Sequence, residues 1–136
     1  MARPAETILQ VLPDAQSTVP QSEQYRFLGE PGDAYWELPE RQQPGLLWPG
    51  WSTEQIARDD LQVDSTVDWS LTDATGPGEF SLFASDPRTP GGVNVLFNTR
   101  DGITEDDAVE IGQLAHVHGS WAFSAEGAYC LAFERT

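Results

Sequence analysis

Proline and glycine pairs punctuate this chain at short intervals: Pro31-Gly32, Pro44-Gly45, Pro49-Gly50, Gly76-Pro77-Gly78 and Pro90-Gly91-Gly92. Proline lacks a backbone donor and fixes its own φ, while glycine accepts turn conformations without steric cost, so long helices have nowhere to run. The segments between these turns are short and alternate apolar with polar residues, the pattern of half-buried strands. Strands are expected over residues 8–12, 25–28, 34–38, 67–72, 79–83, 93–98, 115–123 and 128–134. The implied architecture is all-β: an antiparallel immunoglobulin-like β-sandwich forming a single domain over residues 1–136. Residues 40–66 are the least regular stretch and read as a long surface loop. One helical turn is expected at 104–111, where Thr104 can cap the Asp107 amide and acidic residues suit the positive end of a helix dipole.

Side chains alternate across a strand with a period of two, which assigns each residue a face. Val67, Trp69 and Leu71 point to the core, and Tyr129, Leu131 and Phe133 share a face. In the 115–123 strand, Val117, Gly119, Trp121 and Phe123 take core parity, so His116, His118, Ser120 and Ala122 point away from it. Phe80, Leu82, Val95 and Phe97 complete the expected core. With five Trp, six Phe and three Tyr, the chain can bury such a core without metal or disulfide staples.

Acidic residues number 22 against seven basic ones, all arginine, for a net charge of −15. Phosphate backbones and anionic membranes attract basic patches, so nucleic acid and direct membrane insertion are poor matches. A cation, a basic protein surface or a neutral sugar remains attractive; the plainer alternative is that the charge only keeps an exposed module in solution. Cys130 is the single cysteine, which excludes an internal disulfide and a Cys/His zinc ribbon. No stretch approaches the roughly 18 apolar residues of a membrane span, and the first residues carry no apolar signal-peptide core. Either a leader has been removed, or the protein reaches a surface without secretion.

Four stretches resemble the actinobacterial surface-anchored repeat domain, also called the choice-of-anchor M domain. They are Tyr25 to Gly29 followed by Tyr35 to Pro39; Gly45 to Gly50; Gly76 to Phe83; and His116 to Phe123 running into Gly127 to Phe133. The element His116-x-His118-x-x-Trp121-x-Phe123 is the most specific of them. The resemblance implies a non-catalytic module of secreted or wall-anchored proteins, often near metal-type ABC transporters, where a relay role has been suggested. This chain departs from the usual setting: it shows no leader, no sorting signal after Thr136 and no second copy. Those departures leave room for a stand-alone use, such as decoration of an actinobacteriophage virion.

His116 and His118 form the sharpest chemical constellation. Imidazoles at i and i+2 of a strand share a face roughly 7 Å apart and can chelate one ion, Zn²⁺ or a similar divalent transition metal. If the last two strands form a hairpin with Phe123 opposite Tyr129 and Trp121 opposite Leu131, His118 falls opposite Glu134, a third ligand or supporting carboxylate. If they lie in different sheets, as at an immunoglobulin-like crossing, that pairing fails; Gly127 to Tyr129 resembles the tyrosine corner of such a crossing. The plainer alternative is that both histidines are exposed strand residues bonded to carboxylates or loop backbone.

Trp48 and Trp51 flank Pro49-Gly50 and are candidates for stacking a sugar or another flat ligand, or else plugs over the sandwich edge. The acidic run Asp101 to Asp107 suits calcium in its oxygens but lacks EF-hand spacing. Ser120 lies beside His118, yet nothing marks a nucleophile turn or an oxyanion hole, and no phosphate loop, dinucleotide fingerprint or His-Glu-x-x-His motif occurs, so no enzymatic activity is expected. Two functions from different classes follow. One is a cell-surface, extracellular binding module, taking a metal or metal chelate in partnership with the substrate-binding protein of a metal-type ABC importer. The other is a structural protein of a virion surface whose partners are its neighbours, favoured by a chain that opens on Met1 and holds one domain; carbohydrate recognition is a third.

Overall fold

The computed structural model describes residues 7–54, 66–112 and 115–136. Among them ten strands form: β1 (Gln16–Thr18), β2 (Ala34–Leu38), β3 (Gly50–Ser52), β4 (Val67–Thr75), β5 (Phe80–Ser85), β6 (Val93–Asn98), β7 (Ala108–Ile111), β8 (His116–His118), β9 (Ser120–Phe123) and β10 (Cys130–Arg135). Short 3₁₀ turns at Pro13–Ala15, Glu23–Leu28 and Thr99–Asp101 are the helical structure of the described residues. All strand pairs are antiparallel. They make a five-stranded sheet in the order β1-β2-β9-β5-β6, a three-stranded sheet β10-β4-β7, and a two-stranded ribbon β3-β8.

The two larger sheets pack face to face as a β-sandwich. Leu38, Phe80, Leu82, Phe97 and Trp121 from the five-stranded sheet meet Leu71 from the three-stranded one, with Trp69, Val109, Leu131 and Phe133 packed against them. The alternation in these strands explains the layer, because every second side chain must leave water together. Phe80, Phe97, Leu71 and Leu82 are fully enclosed, each contributing about 1.5–3 kcal/mol of transfer free energy. Trp69 ties the sheets together, its ring centroid 5.0 Å from Phe97 and 4.9 Å from Phe133.

Several expectations need correction. Residues 8–12 form no strand: Ile8 is 96% exposed and Leu9 55%, and the segment runs into the turn that Pro13 starts. The 25–28 strand is instead the 3₁₀ turn Glu23–Leu28, which lays Tyr25 and Phe27 against Phe83 at 6.4 and 5.1 Å between ring centroids. The helical turn at 104–111 gives way to β7, where Val109 and Ile111 pair with Trp69 and Val67. The capping roles there are reversed: the Asp107 carboxylate accepts from the Thr104 amide at 2.8 Å. The long 115–123 strand breaks at Gly119 into β8 and β9. The 40–66 loop contains β3, and its residues 55–65 lie outside the described ones.

Parity fails where the pairing slips. Leu82 pairs with Phe97 but Phe83 pairs with Val95, so Leu96 is the extra residue of a bulge. The slip turns Val95 outward, 38% exposed, and sends Leu96 to the core in its place. Val117, also expected inside, is 39% exposed.

Ser120 and Ala122 do point away from the main core, yet both are buried. The outer face of the five-stranded sheet carries its own cluster of Val19, Leu28, Tyr35, Phe83 and Ala122, covered by Tyr25 and Phe27. A central strand closed on both faces cannot be recognised by alternation, because both sets of positions are apolar or small.

The last two strands lie in different sheets. Both edges of β9 are occupied, by β2 and β5, and β10 pairs with β4. At the crossing the Tyr129 hydroxyl donates to the Ala125 carbonyl at 2.8 Å and accepts from the Ala125 amide at 3.2 Å, the arrangement of a tyrosine corner. The hairpin register that set Glu134 opposite His118 is therefore absent. Glu134 pairs with Ser70 instead.

Candidate functional site

The ribbon β3-β8 positions both histidines. Gly50 pairs with His118, Trp51 with Val117 and Ser52 with His116. A buried threonine fixes the ribbon's end. The Thr53 amide donates to the Ala115 carbonyl at 2.9 Å, and its hydroxyl accepts from the Ala115 amide at 2.9 Å and donates to the Gly112 carbonyl at 2.7 Å. The amide and the hydroxyl of Thr53 are therefore both satisfied, which holds β8 in register with β3.

His118 rests in a cradle made by the three residues Trp48, Pro49 and Gly50. The Trp48 indole stacks on the imidazole with centroids 3.6 Å apart and planes 8° from parallel. Pro49 supplies a carbonyl 3.2 Å from His118 Nδ1. Gly50 supplies space: a Cβ there would lie 2.8 Å from His118 Nδ1 and 2.5 Å from the Val117 carbonyl oxygen. Only glycine lets the ring lie so close to the opposite strand. Trp48 is itself anchored, its Nε1 donating to the Glu40 carbonyl at 2.8 Å.

His116 shares that face, its ring centroid 5.4 Å from that of His118. Its Nδ1 lies 3.3 Å from Glu54 Oε2, and the Ser52 hydroxyl, accepting from the Glu54 amide at 3.1 Å, sets the start of that turn. Both members of the pair are about half exposed, so as an ion pair it contributes little.

These partners decide which nitrogens are free. A carbonyl can only accept, so neutral His118 must carry its proton on Nδ1, leaving the Nε2 lone pair available. The Glu54 carboxylate imposes the same tautomer on neutral His116. An imidazole whose Nδ1–H is held by a carbonyl or carboxylate while Nε2 stays open is the usual arrangement of a metal-ligating histidine.

The structure thus unites three of the five residues singled out from sequence, His116, His118 and Trp48, and separates two. Glu134 belongs to the three-stranded sheet. Trp51 turns inward, its ring 5.1 Å from Trp69 and packed against the core, so the two tryptophans form no common platform. Among the described residues no three His, Cys, Asp or Glu side chains converge as a metal-holding group. In the acidic run, the Asp107 carboxylate is committed to the Thr104 and Asn98 amides. Cys130 is exposed on β10. No helix among the described residues is long and apolar enough to cross a membrane. Sequence reasoning missed Glu54, Gly50 and the Pro49 carbonyl; the sole signal was the Trp48-Pro49-Gly50 turn itself, since pairing between distant short strands leaves no local mark. No family model, curated protein or solved structure matches the chain.

Proposed function

We propose that this chain is a non-catalytic, surface-displayed β-sandwich module that binds a transition-metal ion or its chelate through the Nε2 atoms of His116 and His118. The observation that carries the reading is the pair of Nδ1 partners, Pro49 O and Glu54 Oε2, at 3.2 and 3.3 Å. They hold both rings in the tautomer a ligand needs. Two imidazoles favour Zn²⁺ or a similar borderline cation over Mg²⁺ or Ca²⁺, which prefer oxygen. Two protein ligands leave the remaining coordination positions to water, a chelator or a partner's side chain, which suits an ion handed onward to an importer's binding protein at a cell surface. The corner at Tyr129 supports an immunoglobulin-like affiliation of the sandwich. Calorimetric titration with Zn²⁺ at neutral pH, beside a His116→Ala/His118→Ala double variant, tests the reading. Saturable heat lost in the variant supports it; equal heats in both proteins reject it.

A second reading, structural decoration of a phage capsid or tail, is favoured by the exposed apolar residues Ile8 and Leu9. Exposed apolar side chains of this kind gain by burial against a neighbouring subunit. Association lost in an Ile8→Ser/Leu9→Ser variant, with no Zn²⁺ binding by the parent, would establish it over the first.

A further inference from the structure

The outer face of the five-stranded sheet holds a recess of about 230 Å³ between β2, β5, β9 and the chain around Tyr25. Its walls are of two kinds. Tyr25 and Phe83 supply aromatic surface, packed edge to face at 6.4 Å. Glu37 and Glu40 supply carboxylates, and Ser85 and Ser120 line the recess beside them.

The two carboxylates are held rather than loose. Glu37 projects from β2, paired with Ala122 of β9, and accepts from the Tyr35 hydroxyl at 3.3 Å. Glu40 is fixed at both ends: its amide donates to Ser120 Oγ at 3.0 Å, and its Oε2 accepts from the amide and the hydroxyl of Ser85 at 3.1 and 2.8 Å. Neither carboxylate has a cationic partner among the described residues, whose arginine ion pairs are Arg26 with Glu23 and Glu30 and Arg88 with Asp86. Burial drives the Glu37 carboxyl above its ordinary range, only partly offset by hydrogen bonds from Ser120 and Tyr35. A strand position that half-buries an acid without neutralising it leaves an interaction to be completed.

We propose that this recess binds an alkylguanidinium or alkylammonium group, with Glu37 and Glu40 taking the charge and Tyr25 and Phe83 lying along the stem or the cation face. Cations on short apolar stems are drawn to aromatic faces and carboxylates together, and a guanidinium gains from two acceptors at once. The volume lies below the roughly 300 Å³ at which drug-sized ligands are housed, so the site takes a group the size of one side chain. It is separate from the histidine ribbon and touches it at one point, Glu40, whose carbonyl receives the Trp48 indole. The recess does not depend on the metal reading.

Amide chemical shifts of the full chain, followed during titration with butylguanidinium chloride, test the site, with 1-pentanol as the neutral control. The expected result is saturable shifts at Ser85, Val93 and Ser120 with the cation and none with the alcohol. Glu37→Gln keeps the shape of the side chain and should weaken binding about tenfold, while Glu105→Gln, on an exposed turn, should change it less than about twofold. A blocked arginine tripeptide forms the second arm: binding as tight as butylguanidinium assigns the group to a protein side chain, and binding by the small cation alone assigns it to a free amine or guanidine. Shifts scattered over the acidic surface, or equal weakening by the two substitutions, would overturn the proposal as mere attraction to a net charge of −15. Because Glu37→Gln spectra report dispersion as well as binding, loss of the fold is recognised directly; Glu40→Gln then provides the same comparison.

Discussion

The indole of Trp48 lies flat on the imidazole of His118, 3.6 Å away. Residues seventy positions apart meet this closely because Gly50 has no Cβ to hold the ring off. Replacing Gly50 by Ala should therefore displace His118 and open the stack while leaving the sandwich core intact. The expected cost is about 1 kcal/mol for the lost aromatic pair plus the strain of a Cβ set 2.5 Å from the Val117 carbonyl oxygen, with a gain in Trp48 fluorescence. Denaturant unfolding with fluorescence at native conditions measures both.

Trp121 faces the main core and is 8% exposed. Trp121→Ala should cost about 3–5 kcal/mol by cavity formation. The indole Nε1 is buried without an acceptor among the described residues, so Trp121→Phe removes an unpaired donor along with some volume and should cost distinctly less. Comparable losses for the two variants, read as midpoint shifts in urea, would contradict the placement of that ring.

The Tyr35 hydroxyl is pushed up to about 12, by burial first and by the Glu37 charge second. A phenol that resists ionisation in the fold stabilises it fully below the ordinary tyrosine range, and that contribution is lost as pH rises through about 12. Stability of the parent should fall between roughly pH 10 and 12, and Tyr35→Phe should flatten that fall. Equilibrium unfolding across alkaline buffers tests it.

Glu37 is shifted in the same direction, but its loss of stability with rising pH is already complete at neutral pH. Its carboxyl is raised by burial, so the folded state holds the proton more tightly and the charged form costs stability. Glu37→Gln should stabilise the chain at pH 7 by a few tenths of a kcal/mol, and the difference should vanish on acidification below the ordinary carboxylate range. Thermal midpoints of both proteins across that range decide it.

The sandwich was legible because Pro-Gly turns bound short segments that mix apolar with polar residues; residues 34–38 and 93–98 form the strands expected. What escaped was non-local. The bulge at Leu96 reverses the parity of Val95, and a bulge has no composition of its own. The strap at Glu23–Leu28 covers β9's second face, which alternation had assigned to solvent. The histidine face was readable from the i, i+2 spacing of His116 and His118. Their partners were not, since Glu54 lies 62 residues from His116 and Pro49 69 residues from His118, and both reach the rings only through the β3-β8 pairing.

Whether His116 and His118 offer their Nε2 lone pairs to a metal, as proposed, is tested most directly by long-range ¹⁵N–¹H NMR of the imidazole rings. At neutral pH both histidines should show the Nδ1–H tautomer, and added Zn²⁺ should shift both Nε2 resonances together while Nδ1 keeps its proton. Rings found as the Nε2–H tautomer, or Nε2 resonances unmoved by Zn²⁺, would contradict the account.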